Sequence, residues 1–288
     1  MSTPKVGLVT VLYNEKEVLK GFFKSLGKQT YKNFKLYVID NSPDKEAFYL
    51  AQKLAEEYKI PSHFIYNNAN LGVAKGNNQG IELSIQEGCE YTLLLNNDIE
   101  FDENTIESMV HHAEEHHESM IVPKIYYYGT NKLWMAGGYI SKLRGVAVHR
   151  GDEEDRGQYD KVEYTGYAPT CFMLIKNDLF KDVGLMDEKY FVYYDDTDFV
   201  YRANENGYRI VYFPKATVSH KVSTSTGGES LFTLFYANRN RIYFIRKNFT
   251  KPFQIIALGS FYATKFVNLL TYSREKRAKL LEAMKGLS

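Results

Sequence analysis

The sequence predicts an α/β chain with a doubly wound, parallel-sheet half, a second half of short strands and a helical C-terminal segment. Three observations carry that prediction. Apolar runs of strand length alternate with amphipathic helical stretches as far as residue 115, the pattern of strand–helix–strand units in a parallel sheet. Each of the first four strands closes on a polar cluster: Asn14-Glu15, Asp40-Asn41, Asn67-Asn68 and Asn96-Asn97-Asp98. From residue 120 to 175 the character changes to short segments rich in Tyr and Gly, with no clear long helix. A chain of 288 residues suits one large domain or a domain with an appendage. We divide it into 1–250, with halves 1–118 and 119–250, and a segment 251–288.

Val6–Leu12 is apolar and β-branched, as a buried parallel strand requires. Tyr13-Asn14-Glu15 turns into a helix whose apolar stripe is Val18, Leu19, Phe22, Phe23 and Leu26. Phe34–Asp40 is the second strand, residues 45–58 a helix, and His63–Tyr66 the third strand. A Gly-rich loop and helix, a strand ending at Leu93-Leu94-Leu95 and a helix near Glu103–Glu115 complete the first half. In the second half Arg150–Asp160 reads as an exposed acidic loop and Tyr167–Ile175 as a strand. Asn177-Asp178 opens a short helix ending at Gly184. The run from Phe191 to Arg202 leads into a helix stopped near Gly207, and Arg209–Phe213 and Thr217–His220 read as two strands.

Composition excludes little but is orderly. Hydrophobic content of 44% and charged content of 25% are those of a globular protein, and 36 basic against 35 acidic residues do not favour nucleic-acid binding. Cys89 and Cys171 lack metal spacing and sit in apolar surroundings, as reduced core cysteines do. The N-terminus runs into a strand without a signal-peptide pattern, and no uninterrupted apolar run reaches the ~20 residues of a membrane span. The expectation is a cytoplasmic protein that does not cross a membrane.

Four stretches carry candidate chemistry. Asn96-Asn97-Asp98 is either an Asx turn closing a strand, the commoner use, or part of a site for a divalent cation that holds phosphate. In Asn70–Gly80 glycines recur at 72, 76 and 80, which suits either tight helix–sheet packing or close approach to a phosphate, with Lys75 beside it. Neither a dinucleotide fingerprint nor a P-loop is present. Asp195-Asp196-x-Asp198 opens a helix, where acids also simply suit the dipole. One of the adjacent pair is expected to face a cavity as a general base, while Asp198 pairs with Arg202 at helical spacing. His220 follows a strand and precedes Ser223-Thr224-Ser225, a place where a lone His can ligate a metal. His111-His112 and His116-His117, among glutamates, read as a solvated helix face.

Taken in order, these stretches form a series. Val-Thr-Val-Leu-Tyr-Asn-Glu (9–15), Val-Ile-Asp-Asn-Ser (38–42), Asn-x-Gly-x-Ala-x-Gly-x-Asn-x-Gly (70–80) and Leu-Leu-Asn-Asn-Asp (94–98) come first. Ala-Gly-Gly (136–138), Tyr-x-Asp-Asp-x-Asp-x-x-x-Arg (194–202), Pro-x-Ala-x-Val-x-His (214–220) and Tyr-x-x-Arg-Asn (236–240) follow. The series resembles the family 2 glycosyltransferases of GT-A fold, in their rhamnosyltransferase-like branch, over residues 5 to 250. The resemblance implies inverting sugar transfer from a nucleoside diphosphate donor to a glycan or lipid-linked acceptor, assisted by Mg²⁺ or Mn²⁺.

It also implies roles. Thr10, Leu12, Tyr13, Glu15 and Asp40 match positions that line the nucleoside, with Asp40 accepting the base N–H. Asn70, Lys75, Gly76 and Asn78 match the wall beside ribose and phosphate. Asn96-Asn97-Asp98 stands where the family carries Asp-x-Asp, so one charge is missing here. Asp98 and His220 are the implied metal ligands, with Asn96 a weaker candidate, and Asp196 matches the catalytic base. Trp134, Gly137, Gly138, Asp195, Asp198, Arg202 and Arg239 are expected around the donor sugar or acceptor. The variants Asn-Asn-Asp and Ala-Gly-Gly favour dTDP-L-rhamnose as the donor, with a UDP-hexose as the alternative. A nucleotidyltransferase is disfavoured because Tyr13-Asn14-Glu15 is not a Gly-rich basic loop. A non-catalytic sugar-nucleotide-binding module is disfavoured because Asp98, Asp196 and His220 occur together.

Phe253–Tyr272 reads as an apolar helix with one polar stripe, Ser260, Thr264, Asn268 and Thr271. Basic residues flank it. It could pack on the domain, pair with a second copy as a homodimer, or lie on the inner face of the plasma membrane. Relatives often continue beyond Lys285-Gly286-Leu287-Ser288, so a truncated C-terminus is expected.

Overall fold

The structure is a computed structural model that describes residues 3–222 and 230–285. Four parallel strands, β1 (Val6–Leu12), β2 (Phe34–Asp40), β3 (Ser62–Tyr66) and β4 (Tyr91–Leu95), pair in the order β4-β1-β2-β3. Helices α1 (Leu19–Lys28), α2 (Glu46–Glu57) and α3 (Val73–Gln86) connect them. β1, β2 and β4 are almost wholly buried because both faces of the sheet are covered, which explains their unbroken apolar sequences. Since all four run the same way, their polar ends lie along one sheet edge.

The second half extends the same sheet with mixed pairing. After β5 (Ile99–Phe101) and α4 (Thr105–His116) come β6 (Met120–Tyr127), β7 (Leu133–Met135), β8 (Gly138–Ser141), β9 (Val146–His149) and β10 (Glu163–Thr165). β11 (Phe172–Lys176), α5 (Leu179–Val183), α6 (Asp195–Glu205) and β12 (Ile210–His220) follow. β11 is antiparallel to both β4 and β6, so it joins the two halves, and β12 runs parallel to β6. Helices α7 (Leu231–Asn248), α8 (Lys251–Thr271) and α9 (Arg274–Met284) close the chain, with α7 packed on both of the others.

Several expectations need correction. Arg209–Phe213 and Thr217–His220 are one strand, whose register shifts between Phe213 and Thr217 around Pro214. Proline lacks the N–H a ladder needs, so the irregularity sits where the sequence read as a break. Residues 167–171 are not strand; the strand begins at Phe172. The loop 150–160 is anchored rather than wholly solvated, because buried Lys124 pairs with Asp155 at 2.9 Å and also with Asp160. Helix α8 is long and apolar enough to cross a membrane by length and composition. Cys89 and Cys171 are free and buried, as expected.

Gly76 and Gly80 serve packing. A Cβ at Gly80 would meet Val9 Cγ1 at 2.3 Å, and one at Gly76 would meet Val11 Cγ2 at 2.8 Å. The recurring glycines therefore let α3 lie directly on β1.

Candidate active site

A cleft of about 700 Å³ opens at the polar sheet edge. One wall comes from the ends of β1, β2 and β4 and the start of α3: Tyr13, Glu15, Asn41, Asn70, Gly72, Asn77 and Asn96-Asn97-Asp98. The other comes from Thr170, Phe191–Tyr193, His220 and the start of α7, notably Ser230 and Phe232. A larger groove of about 1080 Å³ lies along α4, β10 and β12 and shares no lining residue with the cleft. Its His112 stacks on Phe213 at 4.5 Å, while His111 and His116 face Glu115, as a solvated face would. We take the smaller cleft as the site, because ligands of open α/β sheets bind beyond the strands' carboxyl ends.

Asp98 and His220 meet in this cleft although 122 positions separate them. β5, immediately after Asp98, pairs antiparallel with the end of β12, setting His220 opposite Ile99. His220 Nε2 stands 3.1 Å from Asp98 Oδ1, and both side chains are buried. His220 Nδ1 is buried without a hydrogen-bond partner among the described residues. Trp134 packs edge-on against the imidazole at 4.6 Å, which fixes its plane. Among the described residues no third His, Cys, Asp or Glu joins the pair to make a metal cluster. The pair fits a cation whose remaining ligands are water and phosphate oxygens, the usual situation for hard divalent ions at phosphate sites.

The wall at the strand ends is a network of amides. Asn67 and Gln79 exchange hydrogen bonds of 2.8 and 3.0 Å, Asn67 donates to Asn41 at 2.8 Å, and Asn41 donates to the Gly72 carbonyl at 3.0 Å. Asn70 Oδ1 accepts from Gly72 N at 3.0 Å. Gly72 has φ +85°, and a Cβ there would stand 2.6 Å from the Phe191 carbonyl, so only glycine fits. Asp40 is fully buried. Its Oδ1 accepts from Ser42 N at 2.7 Å, while Oδ2 and the hydroxyl of Thr10 have no partner among the described residues. Burial pushes the Asp40 carboxyl upward. Buried oxygens of this kind are rare and call for a functional account.

The opposite wall is strained. Phe191 has φ 65° and ψ −57°, and Val192 N donates back to the Tyr190 carbonyl at 2.7 Å, forming the rare positive-φ γ-turn. Tyr193 and Tyr194 are also left-handed, at φ 62° and 66°. Such residues cost on the order of 1–3 kcal/mol each and persist only where their surroundings hold them. Here the buried Asn240 amide points at the carbonyls of Tyr190, Val192 and Tyr193 at 2.8, 2.7 and 2.9 Å. Val73 N adds a 2.7 Å bond to the Phe191 carbonyl.

This strained turn delivers the acidic cluster at the start of α6. Asp196 Oδ2 accepts from the Tyr167 hydroxyl at 2.6 Å, and its Oδ1 accepts from Thr197 N at 2.6 Å and Thr197 Oγ1 at 3.1 Å. Asp195 is buried, and that burial, with the neighbouring Asp196 charge, pushes its carboxyl up to about 7. Tyr167 stacks by His149, which meets Trp134 at 5.4 Å. A chain of packed rings thus runs from the Asp98–His220 pair to Asp196.

Thr10, Asp40, Trp134, Asp195 and Asp196 do not line the cleft themselves, and the remaining expected residues lie elsewhere. Asp198 is fully buried and accepts from Tyr190, Arg202, Lys247 and Asn248 at 2.8 to 3.0 Å, so it ties α6 to α7. Arg202 also donates to the carbonyls of Val183 and Leu185. Asn78 exchanges bonds of 2.9 and 3.0 Å with the Met186 backbone, and Lys75 faces Glu188 at 3.7 Å. Leu12 is core. A Cβ at Gly138 would stand 2.2 Å from the Val148 carbonyl, and Gly137 has φ +87° against Thr165. Both therefore serve close backbone packing. Arg239 donates to the Lys189 carbonyl and covers the Tyr236 ring at 5.0 Å. Residues 223–225, expected as a polar loop after His220, lie outside the described residues, as do 286–288.

Sequence reasoning missed Asn41, Asn77, Thr170, Phe191, Tyr193 and Phe232 as cleft residues. Asn41 stood inside a motif already singled out, and Phe191 and Tyr193 in another.

The glycosyl transferase family 2 profile matches residues 8–184. The chain belongs to that family. It is therefore a glycosyltransferase, and its mixed α/β sheet with flanking helices is the GT-A arrangement. It is 23% identical to a dTDP-rhamnosyl transferase, RfbF, of Shigella flexneri over 97% of this chain and 95% of that protein. It is 24% identical to a low-salt glycan biosynthesis hexosyltransferase, Agl10, of Haloferax volcanii, over 85% of this chain and 77% of that one. Among solved structures, S. aureus TarS in complex with UDP-GlcNAc superposes with a TM-score of 0.63 at 15% identity, covering 98% of this chain and 80% of that fragment. Against a longer TarS chain the coverage of that protein is 48%.

Proposed function

We propose that this glycosyltransferase is an inverting, cation-assisted enzyme. It would move L-rhamnose from dTDP-L-rhamnose to a hydroxyl of a glycan or lipid-linked acceptor in surface-polysaccharide assembly. The buried Asp98–His220 pair, held 3.1 Å apart at the sheet edge, carries the reading. It stands in the same cleft as the amide wall and on the same ring chain as Asp196. A divalent cation, Mg²⁺ or Mn²⁺, held there would act as a Lewis acid on the departing diphosphate. A solved relative from Pyrobaculum calidifontis, a mannosyltransferase, is a complex with GDP-Man and Mn²⁺, at a TM-score of 0.59 and 14% identity over 97% of this chain and 79% of that one.

Each residue then has a physical task. Asp40 Oδ2 is a ready acceptor for a base N–H, since a buried carboxylate oxygen gains most from one donor. Tyr13, half exposed at the cleft mouth, offers a ring face to the base. Asp196 takes the acceptor proton as the hydroxyl attacks the anomeric carbon, and no covalent intermediate is needed. Tyr167 and Thr197 hold that carboxylate in place. Asp195, neutral more of the time than an ordinary carboxylate, limits the charge beside the base.

The RfbF similarity along nearly the whole chain supports rhamnose over hexose. The Agl10 and TarS similarities keep a UDP-hexose as the second reading. Donor turnover across a nucleotide-sugar panel, with and without Mg²⁺ or Mn²⁺, tests both parts. We expect dTDP-L-rhamnose to turn over only with cation. Turnover of UDP-hexoses alone would overturn the donor assignment, and full activity in chelator would overturn the cation.

A further inference from the structure

Helix α8 extends for 21 residues, yet only Ala257 and Phe261 are buried. That side is docked on the domain: Gln254 donates to the Arg246 and Phe249 carbonyls at 3.0 and 2.8 Å, and Arg241 lies over the Phe261 ring at 5.1 Å. The opposite side is apolar and open. Ile255, Phe266 and Leu270 are 74%, 63% and 66% exposed, and Ile256, Tyr262 and Val267 are about half exposed. At 3.6 residues per turn these six share an arc of about 140°.

The surrounding charge is one-sided. From Ser230 to Arg274 there is no Asp or Glu, while Arg246, Lys251 and Arg274 are basic; Lys247 is paired with Asp187 and Asp198, and Arg241 and Lys265 lie over Phe261 on the docked side. Helix α9 adds Lys276, Arg277 and Lys279 against Glu275 and Glu282. The chain as a whole carries only +1, so the cationic charge is concentrated in this segment. Pairing two copies through this face would bring two cationic segments together. An anionic surface meets both the apolar stripe and its basic flanks.

We propose that α8 lies flat in the headgroup region of an anionic bilayer, with Ile255, Tyr262, Phe266 and Leu270 inserted and the basic flanks on lipid phosphates. Docking of the Ala257–Phe261 side on the domain keeps the helix in the plane rather than across the membrane. An apolar face supplies depth and the cations supply lipid selectivity, the usual division for interfacial helices.

Sedimentation of the full chain with vesicles tests this. We expect it to pellet with phosphatidylcholine vesicles containing phosphatidylglycerol, to stay in solution with phosphatidylcholine alone, and to be released by salt. The double variant Phe266→Glu/Leu270→Glu should lose vesicle binding while its turnover of soluble donor is unchanged. The charge reversal Arg274→Glu/Lys276→Glu should weaken binding roughly tenfold or more. Failure of the natural chain to bind anionic vesicles overturns the proposal, as does indifference to either variant. A dimer by light scattering that the Phe266→Glu/Leu270→Glu variant splits, without vesicle binding, would assign the face to a second copy instead.

Discussion

The two halves of the sheet use the same kinds of polar residue in opposite ways. In the parallel half, Asn41, Asn67, Asn70 and Gln79 bond among themselves and to the Gly72 loop, and Asp40 Oδ2 and Thr10 Oγ1 have no partner among the described residues. In the second half Asp198 is saturated by four donors, and Asn240 is directed at three carbonyls. The first half leaves hydrogen-bonding capacity unused at the strand ends. The second consumes it internally, and the result is a rigid frame for a strained turn, Asp196 and His220. Neighbouring acids therefore have unlike settings: Asp196 is held by Tyr167 and Thr197, whereas Asp198 is fully buried among four donors from α6, α7 and Tyr190.

A crossed pair of variants gives the largest effect. Asp196→Asn should lower the transfer rate roughly a hundred- to ten-thousand-fold, the range for a positioned general base, with little change in melting temperature. Asp198→Ala should do the reverse first: it removes the buried carboxylate that Arg202 and Lys247 share, and removing one partner from a buried ion pair costs about 3–5 kcal/mol. Thermal melts and initial rates on both variants separate the roles. If Asp198→Ala melts like the natural chain, or Asp196→Asn keeps its rate, the comparison between the two acids fails.

Asp195 offers a pH-dependent test of the same contrast. Its carboxyl titrates near 7 in the fold, against the ordinary carboxylate value of about 3.9 in the unfolded chain. The folded state therefore holds the proton over a window where the unfolded state has released it. Stability is accordingly highest below about pH 4 with respect to this group, and declines as pH rises toward 7. Asp195→Asn cannot release a proton and should flatten that part of the melting-temperature profile. An unchanged slope between pH 4 and 7 would show that Asp195 is not the group responsible.

How much of this was legible in the sequence follows from local rules. The parallel half was readable almost strand by strand, because burial on both faces leaves unbroken apolar runs and each connection carries its own helix period. Asp98 and His220 were readable only through a resemblance, since no local rule connects residues 122 positions apart. The strained turn was not readable at all. Phe191, Tyr193 and Tyr194 are poor candidates for positive φ, and the groups that hold that conformation, the Asn240 amide and Val73 N, lie far away in the sequence. Helix α7 was missed for a related reason: Asn238, Asn240 and the arginines between apolar residues blur its period, and their partners lie in other elements. Gly137 and Gly138 have a packing use in the fold, and sequence alone cannot separate that use from the sugar contact the resemblance implies.

The smallest effect probes how the frame acts on the base. Tyr167 is buried and donates to Asp196 Oδ2 at 2.6 Å, while Thr197 occupies Oδ1. Tyr167→Phe keeps the ring in its place beside His149 and removes only the hydroxyl. The carboxylate then loses one of its three donors and can rotate about its Thr197 contacts. On the proposed function, a misplaced base costs rate without altering donor recognition, because the amide wall belongs to the other half of the sheet. We expect kcat to fall roughly tenfold, a loss of about 1.4 kcal/mol in the barrier, with the donor KM unchanged. Steady-state kinetics with the natural acceptor class decides it. A rise in donor KM at constant kcat would mean that Tyr167 shapes the cleft rather than the base, and that the two halves are less separate than their hydrogen bonding implies.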